Sequence, residues 1–161
     1  MRSLILLALF LCSPAALAAD WGSYDNARFG YAIAVPPGFS GAGEADNGDG
    51  QVFESANGTQ SLRVWGGNVV ADDFEAEVAA SMGYARDDGW DLSYERVTPS
   101  WASWSGSRNG IILYARMIAL CSASQYAAFQ LEYPERDLSA MNPVVERLVG
   151  SFRATGDGAG C

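Results

Sequence analysis

The segment that most constrains the fold is the run from Ile111 to Leu120, which is apolar at odd and even positions alike except at Arg116. Because the side chains of a β-strand alternate between two faces, this pattern is typical of a central strand that is covered on both sides. The preceding Asn109-Gly110 pair supplies the two positive-φ positions of a tight hairpin turn. The run therefore predicts a buried strand that pairs antiparallel with the strand before it.

Further strands are predicted on both sides of this run from alternation and turn residues. Large apolar side chains at every second position of 29–35 predict a strand that ends at Pro36, because proline cannot donate to a ladder. A second Asn-Gly turn, at Asn57-Gly58, predicts that strands at 51–55 and 61–66 pair antiparallel. The remaining predicted strands are 91–97, 101–107 and 125–133.

Two helices are predicted from apolar residues that recur at helical spacing. Asp72 followed by Glu75 is a candidate N-cap and capping box, which predicts a first helix over 72–86. A last helix is predicted to begin between Asp137 and Pro143. The predicted buried positions are Phe74, Val78 and Met82 in the first helix and Met141, Val145, Leu148 and Phe152 in the last. Short connections leave little room for parallel crossovers, so the predicted fold class is α+β, a mostly antiparallel β-sheet flanked by two helices.

The chain begins with the three parts of an export signal. Arg2 is basic, 4–11 is apolar, and small residues follow, so we expect 1–19 to be a signal peptide that is cleaved after Ala18 or Ala19. The apolar run is shorter than the roughly 20 residues that cross a bilayer. These features predict a secreted or periplasmic protein.

We expect residues 20–153 to form a single α+β domain, followed by a flexible Gly-rich tail, 154–161. Removal of the signal would leave Cys121 and Cys161 as the only cysteines. In an oxidising compartment these two are predicted to form a disulfide that ties the tail back to the end of a strand. Two free thiols, or a bond between chains, are the alternatives.

The composition excludes several chemistries. The sequence contains no lysine and no histidine, so imidazole bases, His-ligated zinc and Schiff-base lysines are ruled out. The formal net charge is −9, which disfavours binding to nucleic acid or to an anionic membrane surface. No cofactor is expected, and a partner would be a protein or a small molecule of unknown identity.

The opening pattern resembles the start of PsbP-like domains. It reads Tyr24-x-Asn26-x-x-Phe29-Gly30-Tyr31-x-Ile33-x-Val35-Pro36-x-x-Phe39. The segment 132–152 is similar to uncharacterised exported proteins of Gram-negative bacteria that carry this fold. The resemblance implies an αβα sandwich in a protein that more often binds or assists than catalyses. It does not extend to photosystem association or Ran binding, because no residue here matches a functional motif of either.

Four residues are candidates for a ligand or partner surface. Trp90, Trp101 and Trp104 fall close together on two adjacent predicted strands, and aromatic side chains concentrate in binding surfaces as well as in cores. Arg116 is a charge on the central strand, so it needs a carboxylate partner or an anionic ligand. By strand position its candidate structural partners are Glu95 and Glu132.

The oxygen-rich loop at Asp46, Asn47 and Asp49 is a weak candidate for a metal site, with a solvated turn as the alternative. It lacks the further spaced carboxylate and the terminal bidentate glutamate of an EF-hand loop.

Two functions remain compatible with the sequence. The first is an exported non-enzymatic domain, a binding or accessory module in the cell envelope, with no catalytic residues assigned. The alternative is a hydrolase that acts on glycosides or cell-envelope material with paired Asp and Glu carboxylates, which must face each other at about 5 to 9.5 Å.

Overall fold

The structure is a computed structural model that describes residues 20–156 and 161. The predicted signal peptide, 1–19, and residues 157–160 of the predicted tail lie outside the described residues. No helix in the described ranges is long and apolar enough to cross a bilayer. The elements found in these ranges are, in chain order, β1 (Gly22–Asn26), β2 (Tyr31–Val35), β3 (Phe39–Glu44), β4 (Gly50–Ser55), β5 (Ser61–Asn68), α1 (Phe74–Asp87), β6 (Asp91–Val97), β7 (Trp101–Arg108), β8 (Ile111–Leu120), β9 (Gln125–Pro134), α2 (Leu138–Ser151) and β10 (Arg153–Ala154).

Seven strands form one antiparallel sheet in the order β3-β4-β5-β9-β8-β7-β6. Strand β8 pairs with β7 on one side and with β9 on the other along its whole length, so the predicted central strand is confirmed. Strands β4 and β5 pair antiparallel as predicted, with Gly58 between them at a φ of 66°. Strands β1, β2 and β10 form a second, three-stranded antiparallel sheet.

The two helices lie on opposite faces of the seven-stranded sheet. Helix α1 packs its predicted apolar stripe on the face that carries Leu113 and Met117. Helix α2 and the three-stranded sheet cover the other face, where Phe129 meets Phe152 at a ring-centroid distance of 5.2 Å. The predicted α+β class, a mostly antiparallel sheet flanked by two helices, is therefore confirmed. The three-stranded sheet was not predicted.

The structure corrects the sequence-based prediction at two strands and at the start of α1. Strands β1 and β3 were missed because most of their side chains are exposed and leave no buried alternation. The predicted N-cap at Asp72 is wrong by one residue, because Asp73 is extended and its Oδ1 accepts from the Ala76 N–H at 2.8 Å. Two adjacent aspartates compete for this position, and the sequence does not say which one takes the extended backbone.

The predicted disulfide is present between Cys121 and Cys161, whose Cα atoms are 5.4 Å apart. It joins the end of β8 to the chain terminus. Three consecutive non-glycine residues at this point, Cys121, Ser122 and Ala123, have φ values of 50°, 53° and 68°. Such left-handed backbone is disfavoured for L-residues, so the surrounding structure must hold this turn in place.

Candidate ligand-binding site

A cavity of about 420 Å³ lies between α1 and the sheet face that α1 covers. Its lining comes from α1 and the segment that follows it and from strands β5, β7 and β9. The alternation of each strand decides which side chains reach it, because only one parity points towards α1. The side chains that line it are Arg63, Trp65, Glu77, Ser81, Tyr84, Ala85, Asp88, Trp90, Trp104, Tyr126 and Gln130.

Aromatic rings make up much of this lining. Trp90 and Trp104 are 5% and 4% exposed and form its buried part. Trp65 and Tyr126 are half-buried, and Tyr84 on α1 is 71% exposed. The cavity therefore grades from a buried indole wall to a solvent-facing phenol, as in a site that admits a ligand from solvent and shields one end of it.

One polar group of the cavity, the Glu77 carboxylate, is held in a defined position. The Glu77 carboxylate accepts from the backbone N–H groups of Val70 and Ala71 at 2.9 and 3.0 Å, which fixes the segment leading into α1. Burial raises the pKa of Tyr126; a hydrogen bond with Trp65 opposes this rise, and the negative charge of Glu77 adds to it. Glu77 thus fixes the segment before α1, and its charge acts on the Tyr126 phenol across the cavity.

One buried donor in this lining has no partner. The indole Nε1 of Trp104 finds no hydrogen-bond acceptor among the described residues. A buried donor without an acceptor costs about 1–3 kcal/mol. The cavity wall therefore contains a polar group whose bonding capacity the protein itself leaves unused.

The cavity does not offer the paired carboxylates that a glycoside hydrolase needs. Its two acidic residues, Glu77 and Asp88, lie about 16 Å apart along the helix at 1.5 Å per residue. Paired carboxyl groups in such enzymes lie about 5 to 9.5 Å apart. Glu77 is also committed to two backbone N–H groups. The hydrolase alternative has no geometric support in this cavity.

The structure divides the four predicted surface residues between the two faces of the sheet. Trp90 and Trp104 come together on the α1 face. Trp101 and Arg116 come together on the opposite face, where the Arg116 guanidinium carbon lies 4.5 Å from the Trp101 ring centroid. The four residues therefore do not form one surface.

The predicted carboxylate partners of Arg116 are wrong. The Glu95 carboxylate pairs with Arg86 of α1 at 2.5 Å, and the Glu132 carboxylate accepts from Gln130 Nε2 at 2.7 Å. Both glutamates lie on the α1 face, whereas Arg116 points to the other face and donates from Nη1 to the Ser103 hydroxyl at 2.9 Å. Burial lowers the pKa of Arg116, and the electrostatic interaction with Tyr114 and Tyr94 raises it in partial compensation.

The predicted metal loop forms a hydrogen-bonded turn. The Asp49 carboxylate pairs with Arg28 at 3.1 Å and accepts from Asn47 Nδ2 at 2.5 Å. Asp46 is exposed. Among the described residues, no group of three or more His, Cys, Asp or Glu side chains lies close enough to hold a metal ion. The ion pair between Asp49 and Arg28 closes this turn.

Sequence analysis missed the cavity residues that come from distant strands. Trp65 and Tyr126 are brought together only because β5 pairs with β9, where Gly67 lies opposite Tyr126. The tight fit at this point is visible in Gly67, since a Cβ there would lie 2.7 Å from the Tyr126 hydroxyl oxygen. The sequence feature that could have indicated the cavity is Trp65, a large aromatic residue that points to the same face of β5 as the exposed Arg63.

Comparison with known proteins identifies the architecture. No protein-family model and no curated protein sequence matches the chain. Among solved structures, it is similar to the cyanobacterial PsbP protein CyanoP from Synechocystis sp. PCC 6803, at 16% identity and a TM-score of 0.65, over 91% of this chain and 98% of the other. It is also similar to the Saccharomyces cerevisiae Ran-binding protein Mog1p, at 12% identity and a TM-score of 0.61, over 86% and 97% of the two chains. Likeness at these identities establishes a shared fold, and the chain has a PsbP-like α+β fold.

Proposed function

We propose that the protein is a non-enzymatic binding or accessory module of the cell envelope that holds a small, largely apolar ligand in the cavity under α1. The observation that carries this proposal is the lining of that cavity, in which five aromatic rings lie beside five polar or charged side chains, and the Glu77 carboxylate among these is held by two backbone N–H groups. Ligand sites typically combine an apolar, aromatic wall with a small number of placed polar groups.

The fold neighbours support a binding role in general terms. The solved structure of Mog1p is described as a Ran-binding protein, so this architecture serves at least one partner-binding protein. Neither Ran nor a photosystem is carried over to this chain, because the likeness is one of fold and functions differ between proteins of one fold.

The envelope location rests on two features of the sequence and structure. Residues 1–19 have the composition of an export signal. The Cys121–Cys161 disulfide is of the kind that persists in oxidising compartments. Expression of the full chain in a bacterial host, with intact-mass measurement of the periplasmic fraction, tests this part. We expect a mass that lacks residues 1–18 or 1–19, and an uncleaved chain in the cytoplasm would contradict it.

The ligand we expect is neutral and carries a flat apolar surface. Trp65 and Tyr84 are the accessible rings of the cavity, and a flat ligand covers such rings most completely. The lining carries two acidic side chains, Glu77 and Asp88, against one basic side chain, Arg63, and together with the net charge of −9 this balance disfavours an anion here.

The test uses Nile red, a neutral aromatic dye, as the probe. Ser81 lines the cavity from α1, whereas the neighbouring Ala80 is exposed on the same helix and outside the lining. We expect saturable enhancement of dye fluorescence by the unaltered protein, loss of at least tenfold in affinity for Ser81→Phe, and retention of affinity for Ala80→Phe. Equal binding by both variants, or no saturable binding by the unaltered protein, would refute the cavity as the site.

A further inference from the structure

A serine-floored groove runs along β7 on the sheet face opposite α1. Its floor is formed by Ser103, Ser105 and Ser107, which share one parity of the strand. Ser103 is 1% exposed because neighbouring side chains cover it, whereas Ser105 is half-buried and Ser107 is exposed, so the groove opens towards Ser107. The groove lies apart from the α1 cavity, because the sheet itself separates the two.

Longer side chains stand on both sides of this floor. Ser103 is paired with Arg96 on β6 and with Arg116 on β8. In the next row, Ser105 is paired with Tyr94 on β6 and with Tyr114 on β8. A small residue between two long ones in successive rows leaves a trough, with guanidinium groups at one end and phenol hydroxyls beside them.

Both arginines converge on Trp101, the next residue of this parity along β7. The Arg116 and Arg96 guanidinium carbons lie 4.5 and 5.3 Å from its ring centroid. Such cation–π contacts hold the planar groups in place without consuming their hydrogen-bond donors. The two charges are therefore oriented, and Arg116 uses one donor, Nη1, on the Ser103 hydroxyl.

No acidic side chain neutralises this pair. In the described part of the chain, neither Arg96 nor Arg116 makes an ion pair with Asp or Glu within 4.0 Å. Arg116 Nε is buried and finds no acceptor among the described residues. A half-buried guanidinium with an unused donor is costly, because buried polar groups normally have partners. In a chain with a net charge of −9, two arginines in one groove without an acidic partner among the described residues are unusual and point to an anion as their partner.

We propose that this groove binds the oxyanion of a small organic ligand, a carboxylate or phosphate group, between Arg96 and Arg116. Guanidinium groups match both oxyanions with paired, charge-assisted hydrogen bonds, and the Ser105 and Tyr114 hydroxyls add neutral donors. The groove continues towards α2 into a cavity of about 360 Å³, which gives the remainder of the ligand a place to lie. The lining of that cavity includes Tyr133, Leu138 and the acidic Glu135, so the oxyanion lies at the arginine end and the uncharged part of the ligand lies here.

The experiment is a titration of the ¹⁵N-labelled protein with phenyl phosphate and, separately, with benzoate, followed by two-dimensional NMR. We expect saturable shifts of the Trp101 indole N–H and of the Ser103 and Ser105 amides, with the Ser81 amide unmoved. Loss of one charge-assisted bond corresponds to a roughly tenfold to hundredfold weaker affinity, which is the effect expected for Arg116→Gln. Arg153→Gln removes the same charge from exposed β10 and is expected to leave affinity unchanged.

The two probes distinguish the source of the oxyanion. Tighter binding of phenyl phosphate assigns a phosphate ligand, and tighter binding of benzoate assigns a carboxylate. Arg96→Gln provides a second variant, because Arg96 is exposed and its replacement leaves the core intact. Absence of saturable shifts with both probes, or equal losses for Arg96→Gln and Arg153→Gln, would overturn the proposal.

Discussion

Arg116 and Ser103 face each other across β8 and β7, and the guanidinium Nη1 donates to the serine hydroxyl at 2.9 Å. This neutral partner takes the place that a carboxylate would fill in a structural ion pair. A buried charge paired with a hydroxyl contributes less to stability than it costs in desolvation. The protein itself therefore leaves the charge of Arg116 unneutralised, with a serine hydroxyl and the Trp101 ring as its contacts.

The bond between these residues predicts a measurable stability effect. Ser103→Ala leaves a half-buried guanidinium with one donor fewer satisfied, so we expect the free energy of unfolding to fall by about 1–2 kcal/mol. Ser105→Ala on the same floor is the matched control and is expected to change it by less than about 0.5 kcal/mol. Urea unfolding measures both, and equal losses would contradict the role given to the Ser103 hydroxyl.

Glu77 links the α1 cavity to the segment before the helix. Glu77→Ala removes a charged acceptor from the Val70 and Ala71 N–H groups, so we expect a loss of about 2–3 kcal/mol in unfolding free energy. The exposed Glu75 in the first turn of α1 is the control, and Glu75→Ala should cost less than about 1 kcal/mol. A loss for Glu77→Ala no larger than for the control would show that this carboxylate does not hold the segment.

The disulfide should stabilise the fold chiefly by restricting the unfolded chain. Its cysteines are separated by 40 positions, and a closed loop of that size is worth up to about 4 kcal/mol in the loop-entropy model. Denaturant unfolding of the double variant Cys121→Ser, Cys161→Ser measures this loss. Unchanged stability would contradict a bond within one chain and favour free thiols or a bond between chains.

Alkaline pH is expected to destabilise the protein. Burial is the main cause that raises the pKa values of Tyr31, Tyr126 and Tyr133 above the ordinary tyrosine value. The folded protein therefore holds these protons more tightly than the unfolded chain does. The sign of linkage then makes unfolding free energy fall as pH rises above about 10. Tyr31→Phe should reduce the slope of that fall between pH 10 and 12. The surface variant Tyr84→Phe controls for loss of a hydroxyl, and equal slopes in the two variants would contradict the attribution.

Much of the sheet could be predicted because a strand with a buried face needs apolar residues at every second position. Strands β7, β8 and β9 were located within one residue at each end, since each alternates against covered faces. Strands β1 and β3 were missed for the same reason, because strands with mostly exposed side chains carry no such period. A period of two in the sequence therefore shows that one or both faces of a strand are buried, and an exposed strand can exist without it.

The two wrong partners of Arg116 have different causes. Glu132 shares the sheet face of Leu113 and not that of Arg116, whereas Glu95 was displaced by a bulge. Extending the register of Leu92 opposite Gly106 would place Glu95 beside Ser103 and hence in the row of Arg116. A bulge between Leu92 and Tyr94 shifts β6 by one residue, which places Arg96 in that row instead. The sequence of β6 contains no pattern that predicts this bulge. One inserted residue therefore exchanges a structural ion pair for a pair of like charges.

The central claim is that the cavity under α1 is the ligand site of a binding module, and a crystal structure of the protein saturated with Nile red tests it most directly. We expect the dye between α1 and the paired strands β5 and β9, in contact with Trp65 and Tyr126. Dye bound elsewhere, with this cavity empty in crystals that leave its mouth open to solvent, would contradict the claim.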